Sequence, residues 1–245
     1  MFLVAAAASV TMAAGAQVPA DSVPSFERPN GALMRPATLV YALSLTRPDG
    51  AITPLGTRTV SISDAPLGGT PSWLIAEARL GTAVETTDSV SVARADLTPE
   101  RWAATIGRSQ LGASISRDSM FGAIDTYQGR TSFVVAVPSN TLLSAGMVER
   151  VIELLPLREG YRSAATLVLI DGLTPRLLSA EIIVERVEGV DVGGRTVECW
   201  RVAIRSGALE QRLWVAREGS RVVRTEQAVR EGLMTSVLTA LDPGP

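Results

Sequence analysis

Whatever chemistry this chain performs must be done almost without nitrogen bases or thiols. Its 245 residues contain no His and one Cys, and all 23 basic residues are Arg. These absences remove Ser-His-Asp, Cys-His and Ser-Lys nucleophile systems. They also remove the lysine of phosphate-binding loops and zinc sites built on His or clustered Cys. No G-x-G-x-x-G, G-x-S-x-G or calcium-loop pattern occurs. Carboxylates, Tyr and oxygen-ligand metal chemistry remain. Two carboxylates suffice for glycoside hydrolysis when about 5–10 Å separate them, and the candidates are Glu77, Glu85, Asp88, Asp125 and Glu198. Each also fits a solvated strand or loop position, and an aromatic content of 4% supplies little surface for stacking a sugar. Asp125-Thr126 resembles an aspartic-protease loop, but Tyr127 stands where that loop needs Gly. No residue is therefore assigned to catalysis, and neither a metal nor a cofactor is expected.

Other side chains fit binding or packing roles. Trp200 and Trp214 fall on neighbouring strand-like runs, where they meet across a sheet face as core packing or as a ligand clamp. Arg201, Arg212 and Arg224 make a row on one face of the last runs. That row is either a charged outer surface that keeps the sheet soluble or a contact for anionic headgroups. A net charge of −2 gives no electrostatic case for nucleic acid. Cys199 has no intrachain partner and reads as a small buried hydrophobe.

The elements that would position these groups are mostly strands. Leu39, Tyr41, Leu43 and Leu45 alternate with smaller or polar residues, as do Val60 and Ile62, and Val90 and Val92. Further runs lie at 72–80, 131–137, 165–170, 181–187, 196–204, 209–216, 221–229 and 234–239. Turns with Gly separate several of them, including RPDG (Arg47–Gly50), VGGRT (Val192–Thr196) and REGS (Arg217–Ser220). Period-two alternation with such breaks marks half-buried antiparallel strands, and about ten are expected. Leu97–Thr105 reads as one helical turn, with Thr98 as cap and Pro99 at its first position. No βαβ rhythm appears, which argues against a doubly wound sheet.

One segment breaks the pattern. Across Thr141–Leu155 the residues Leu142, Leu143, Met147, Val148, Val151, Ile152, Leu154 and Leu155 fall on one half of a helical wheel. Glu149, Arg150 and Glu153 fall on the other. Ser139 or Asn140 can cap this helix, and Pro156 ends it. Its apolar side represents roughly 10–20 kcal/mol of burial, so it must cover a sheet, close a barrel end or insert into a partner. The charged side is expected to face water, so Glu149→Ala should be nearly silent.

Phe2–Ala16, FLVAAAASVTMAAGA, ends in an A-x-A pattern before Gln17 and reads as a secretory signal peptide. Periplasmic or other export follows as an expectation. No Cys follows the leader, so no lipid anchor is expected, and no membrane span is expected in the mature chain. Residues 17–36 are rich in Pro and polar residues and read as a flexible linker. Residues 37–240 then form a single antiparallel β domain with the internal helix at 141–155.

From Val137 to Leu238 the arrangement resembles a widespread family of exported bacterial proteins of unassigned function. The resemblance is carried by LPLREGY (Leu155–Tyr161), VDVGGRTVECWRV (Val190–Val202) and LWVAREGSRVVRTE (Leu213–Glu226). That family is similar in fold to the lipoprotein-localisation (LolA/LolB-like) carriers. The resemblance implies a curved antiparallel half-barrel with helix on its concave face, the helix being either a lid that yields to an acyl chain or a permanent plug. The function it implies is non-enzymatic binding or carriage of a lipid-like ligand. That ligand would be held by Leu39, Leu43, Phe133, Val135, Leu143, Met147, Val151, Leu167 and Leu169. Partners would be a lipid, a lipoprotein acyl chain or an envelope protein. A scaffold of the cell envelope with a filled core is the alternative, and a carboxylate hydrolase a more distant one.

Overall fold

A computed structural model describes residues 24–26, 28–171 and 174–244. The expected leader and the first part of the linker lie outside the described residues. Alternation in the sequence becomes alternation in space from the first strand. In β1 (Ala37–Thr46), Leu39, Tyr41 and Leu43 are buried while Val40 and Ala42 point away. The next seven strands follow as hairpins: β2 (Ile52–Asp64), β3 (Ser72–Leu80), β4 (Thr86–Ala93), β5 (Pro99–Ile106), β6 (Ser109–Ser116), β7 (Ser119–Thr126) and β8 (Gly129–Ala136). A two-residue strand, β9 (Thr141–Leu142), precedes the helix α1 (Ala145–Glu153). Six longer strands complete the chain: β10 (Arg162–Asp171), β11 (Thr174–Val192), β12 (Arg195–Ser206), β13 (Leu209–Ala216), β14 (Val222–Val229) and β15 (Gly232–Asp242).

All fifteen belong to one sheet, ordered β8-β7-β6-β5-β4-β3-β2-β1-β15-β14-β13-β12-β11-β10-β9. Two meanders, β1–β8 and β10–β15, are joined where β1 pairs antiparallel with β15. Every pairing between these strands is antiparallel except β9 with β10. The sheet curls until β8 comes near β11, and one continuous core fills its concave side.

The expectation of about ten strands is corrected to fifteen among the described residues. Weak local contrast hides some of the added strands. In β5 and β6 the run Ala103, Ala104, Gly112, Ala113 gives little hydrophobic contrast. The segment expected as a helical turn at 97–105 is mostly β5, because pairing with β4 and β6 outweighs the local signal of Thr98-Pro99. The linker read at 17–36 is also revised at its end. Phe26 and Met34 lie in the core, Gly31–Leu33 form a 3₁₀ turn, and the Trp73 indole donates to the Gly31 carbonyl at 2.9 Å.

The helix is shorter than the expected 141–155. Thr141 and Leu142 pair with Thr166 and Leu167 as β9, so the cap moves to Ser144, whose Oγ accepts from the Met147 amide at 3.2 Å. Met147, Val148, Val151 and Ile152 enter the same core as Leu39, Val60, Ile75 and Leu213. Gly146 lets α1 approach β3 closely: a Cβ there would sit 3.4 Å from both Ile75 Cγ2 and Glu77 Oε2. The other side of the helix does not face water. Glu149, Arg150 and Glu153 are all buried, because the curled sheet surrounds α1 instead of covering one face of it.

Candidate functional site

Inward-facing positions of neighbouring strands form rows across the sheet, and two of these rows are charged. One runs Tyr41, Arg58, Arg79, Thr86, Ile106 through β1–β5. The next runs Leu39, Val60, Glu77, Asp88, Ala104, Leu111, Ile124 through β1–β7. Charges placed inward at such positions need partners, since an unpaired buried ion is very costly. Helix α1 supplies Glu149, and the second row supplies Glu77 to the arginines of the first.

Arg58 joins the sheet to the helix. It reaches Glu77 and Glu149 at 2.7 Å each. Arg79 Nε holds the second Glu77 oxygen at 2.7 Å. On the helix, Arg150 lies 3.4 Å from Glu149 and 3.0 Å from Glu153, and Glu153 also meets Arg221 at 3.4 Å and accepts from the Val222 amide at 2.7 Å. The Tyr41 hydroxyl donates to the Val222 carbonyl at 3.0 Å and accepts from Arg150 at 3.4 Å. Burial raises the Tyr41 hydroxyl above its ordinary value. Burial opposes ionisation of Glu77 too, but Arg58 and Arg79 outweigh it and hold its carboxyl at about 2.

Beside this floor a cleft of about 420 Å³ opens at the N-terminus of α1, between β3–β7 and β10. Glu77, Arg79, Asp88 and Gln110 mark one part of its lining, while Leu111, Ile124, Leu143, Val168 and Ile170 form an apolar wall. Asp88 Oδ2 accepts from the Trp102 indole at 2.9 Å. Burial is the main reason its carboxyl rises to about 6, with the Glu77 charge adding to it. Two hollows of about 460 and 490 Å³ lie over the convex side, across an outward row of small residues that includes Ser61, Ala76, Ser89, Ala103 and Gly112. They lack the apolar wall of the concave cleft.

The residues expected to hold a ligand divide between cleft, core and rim. Leu143 and Leu169 line the cleft, Leu169 with 40% of its surface exposed. Leu39, Leu43, Met147 and Val151 are buried in close packing, while Phe133, Val135 and Leu167 pack against the core from half-buried positions. Among the candidate carboxylates, the sheet brings only Glu77 and Asp88 together, as direct cross-strand partners. Glu198 pairs with Arg217 at 2.6 Å and Asp125 with Arg130 at 3.1 Å, both on the surface, and Glu85 sits in the exposed turn before β4. Trp200 and Trp214 do not meet: Trp200 packs toward the main core, while Trp214 belongs to a separate cluster on the other face with Cys199. Opposite parity across β12 and β13 separates them, since Trp200 pairs with Val215 and Trp214 with Arg201. Arg201 and Arg224 flank the Trp214 ring at 5.9 and 4.9 Å, and Arg201, Arg212 and Arg224 all pair with glutamates of the same face.

Sequence reasoning missed Arg58, Arg79 and Tyr41. Strand parity carries the signal: Arg58 shares the face of Val60 and Ile62, Glu77 and Arg79 that of Trp73 and Ile75, and Asp88 that of Val90 and Val92. Among the described residues, no cluster of three or more His, Cys, Asp or Glu is placed to hold a metal, and no helix is long and apolar enough to cross a membrane.

Fold and site together define an antiparallel sheet curled around one ion-paired helix, with a single-sided cleft at the helix start. This chain is similar in fold to a β-barrel-like protein of the domain of unknown function DUF1849 from Brucella abortus. The two are 12% identical with a TM-score of 0.54, over 91% of this chain and all of that one. A second match is the hypothetical lipoprotein YmcC of Escherichia coli K12, at 13% identity and a TM-score of 0.32, over 88% of this chain and 87% of that one. No family model matches the chain, and no curated protein is significantly similar to it.

Proposed function

We propose that the protein is an exported, non-enzymatic binding protein that holds a lipid-like amphiphile in the cleft at the start of α1. The cleft carries this reading: about 420 Å³, within the range of small-molecule sites, with an apolar wall beside a few convergent polar groups. The leader-like stretch Phe2–Ala16 supports export. The pinned helix narrows the mode of binding. Its middle is clamped by buried ion pairs at Arg58 and Arg150, so it acts as a fixed plug and the ligand enters beside it, not beneath it. Catalysis by the carboxylate pair is disfavoured because each Glu77 oxygen is already bound to an arginine, and these partners hold its carboxyl at about 2, far from a general acid or base working near neutral pH.

Native mass spectrometry of protein purified from its own envelope should show a co-purified amphiphile. Ala104→Phe, which fills the cleft from β5, should abolish uptake of a fluorescent alkyl probe while leaving the protein folded. A protein that carries no lipid and takes up no probe would favour the scaffold reading. One observation already leans that way: β8 is an edge strand, and its Val134 forms an exposed cross-strand pair with Phe121 of β7.

A further inference from the structure

The charges around the cleft do not balance. The connected cluster holds four guanidinium groups, Arg58, Arg79, Arg150 and Arg221, against three carboxylates, Glu77, Glu149 and Glu153. Asp88 supplies a fourth anion only while it is ionised. Arg58 and Arg150 are enclosed, whereas Arg79 and Arg221 are partly exposed, at 27% and 24% of their side chains, and of these two Arg79 lines the cleft. Arg79 meets the protein through Nε, which donates to Glu77 Oε1, and its two terminal nitrogens have no partner among the described residues. The ion pair therefore fixes the plane of the guanidinium and leaves its outer fork open. Thr86 stands directly opposite on β4, and Leu111, Ile124, Leu143, Val168 and Ile170 continue the cleft away from it.

We propose that Arg79 is the head-group reader of this cleft, binding a carboxylate or phosphate oxyanion whose aliphatic chain lies along Leu111, Ile124, Leu143 and Ile170. An open guanidinium fork matches the two oxygens of such a group and gives short charge-assisted hydrogen bonds. Lysine could not reproduce the planar fit. Glu77 positions Arg79 without neutralising the cluster, because Glu77 is shared with Arg58. The charged groups facing the bound head are Glu77 and Arg79 from β3 and Asp88 from β4, while β5 and β6 contribute only the neutral Trp102, Ser109 and Gln110. Protonation of Asp88 removes the nearby like charge, so oxyanion binding strengthens as pH falls through about 6.

The inference rests on the cleft being a ligand site, and titration calorimetry with four ten-carbon probes separates the two claims. Decanoate or decyl phosphate should bind wild type at least about tenfold more tightly than decanol or decylamine, and their relative affinity distinguishes a fatty-acid-like head from a phospholipid-like one. Arg79→Gln should abolish that preference while alkyl binding persists, and Arg79→Lys should restore part of it. Equal binding of all four probes by wild type would show a ligand site in which Arg79 does not read the head, overturning the inference alone. Binding by none at millimolar concentration would overturn the cleft reading together with it. The wild-type series stands even if Arg79→Gln folds poorly.

Discussion

Replacing Glu149 separates the helix seen as a surface-facing amphipath from the helix seen as an enclosed plug. On the wheel Glu149 belongs to the polar side, and a surface substitution there would change stability by no more than about 0.5 kcal/mol. In the folded protein Glu149 is fully buried, accepts from Arg58 at 2.7 Å and lies 3.4 Å from Arg150. Glu149→Ala deprives both guanidinium groups of a counter-ion inside the core. Removing one partner of a buried pair costs about 3–5 kcal/mol. For a protein of this size that corresponds to a fall in Tm of roughly 6–20 °C. Thermal unfolding followed by circular dichroism, with urea titration to confirm an unchanged m-value, measures it. Glu149→Gln, which keeps an acceptor but not the charge, should fall between alanine and wild type. A double-mutant cycle with Arg58→Met should show strong coupling. A Glu149→Ala protein melting within about 2 °C of wild type would refute the buried network as the clamp on α1.

Stability should also respond to pH with opposite signs at two neighbouring carboxylates. Glu77 is held at about 2, so the stability it contributes is present above about 4.5 and is lost as pH falls toward 2. Asp88 is raised to about 6, so the folded state binds the extra proton between about 4 and 6, and stability declines as pH rises through that window, by at most about 3 kcal/mol. Asp88→Asn should flatten the second slope and raise Tm at pH 7.5; a lower Tm there would contradict the assignment. Cys199 is buried, mainly by burial its thiol is raised to about 11, and it should resist iodoacetamide in the native protein but react fully in urea. Rapid native labelling would mean that β12 opens easily.

Much of the architecture is written in local pattern. Alternation at Leu39–Leu43, Val60–Ile62 and Val90–Val92 follows from the two-residue repeat of a strand and needs no knowledge of the rest of the chain. The same is true of the helix around Met147–Ile152, whose apolar stripe is complete within three turns. The absence of His and Lys likewise excludes whole classes of chemistry on composition alone, whatever the fold. Local pattern fails where the strand's own contrast is weak, as at Ala103–Ala104 and Gly112–Ala113, where pairing with neighbours decides.

The cleft and its ionic floor were decided by tertiary structure. Parity in β2 and β3 already places Arg58, Glu77 and Arg79 on the same face as Val60 and Ile75. Whether that face is wet or enclosed depends on how far a fifteen-stranded sheet curls, which is a property of the whole sheet. The wheel that set Glu149, Arg150 and Glu153 apart from the apolar stripe was correct as geometry and wrong as exposure. A helix is amphipathic toward water only if one side is left uncovered. Here strands meet α1 on its charged side as well, and partners 91 residues apart in the chain, Arg58 and Glu149, turn that side into the interior.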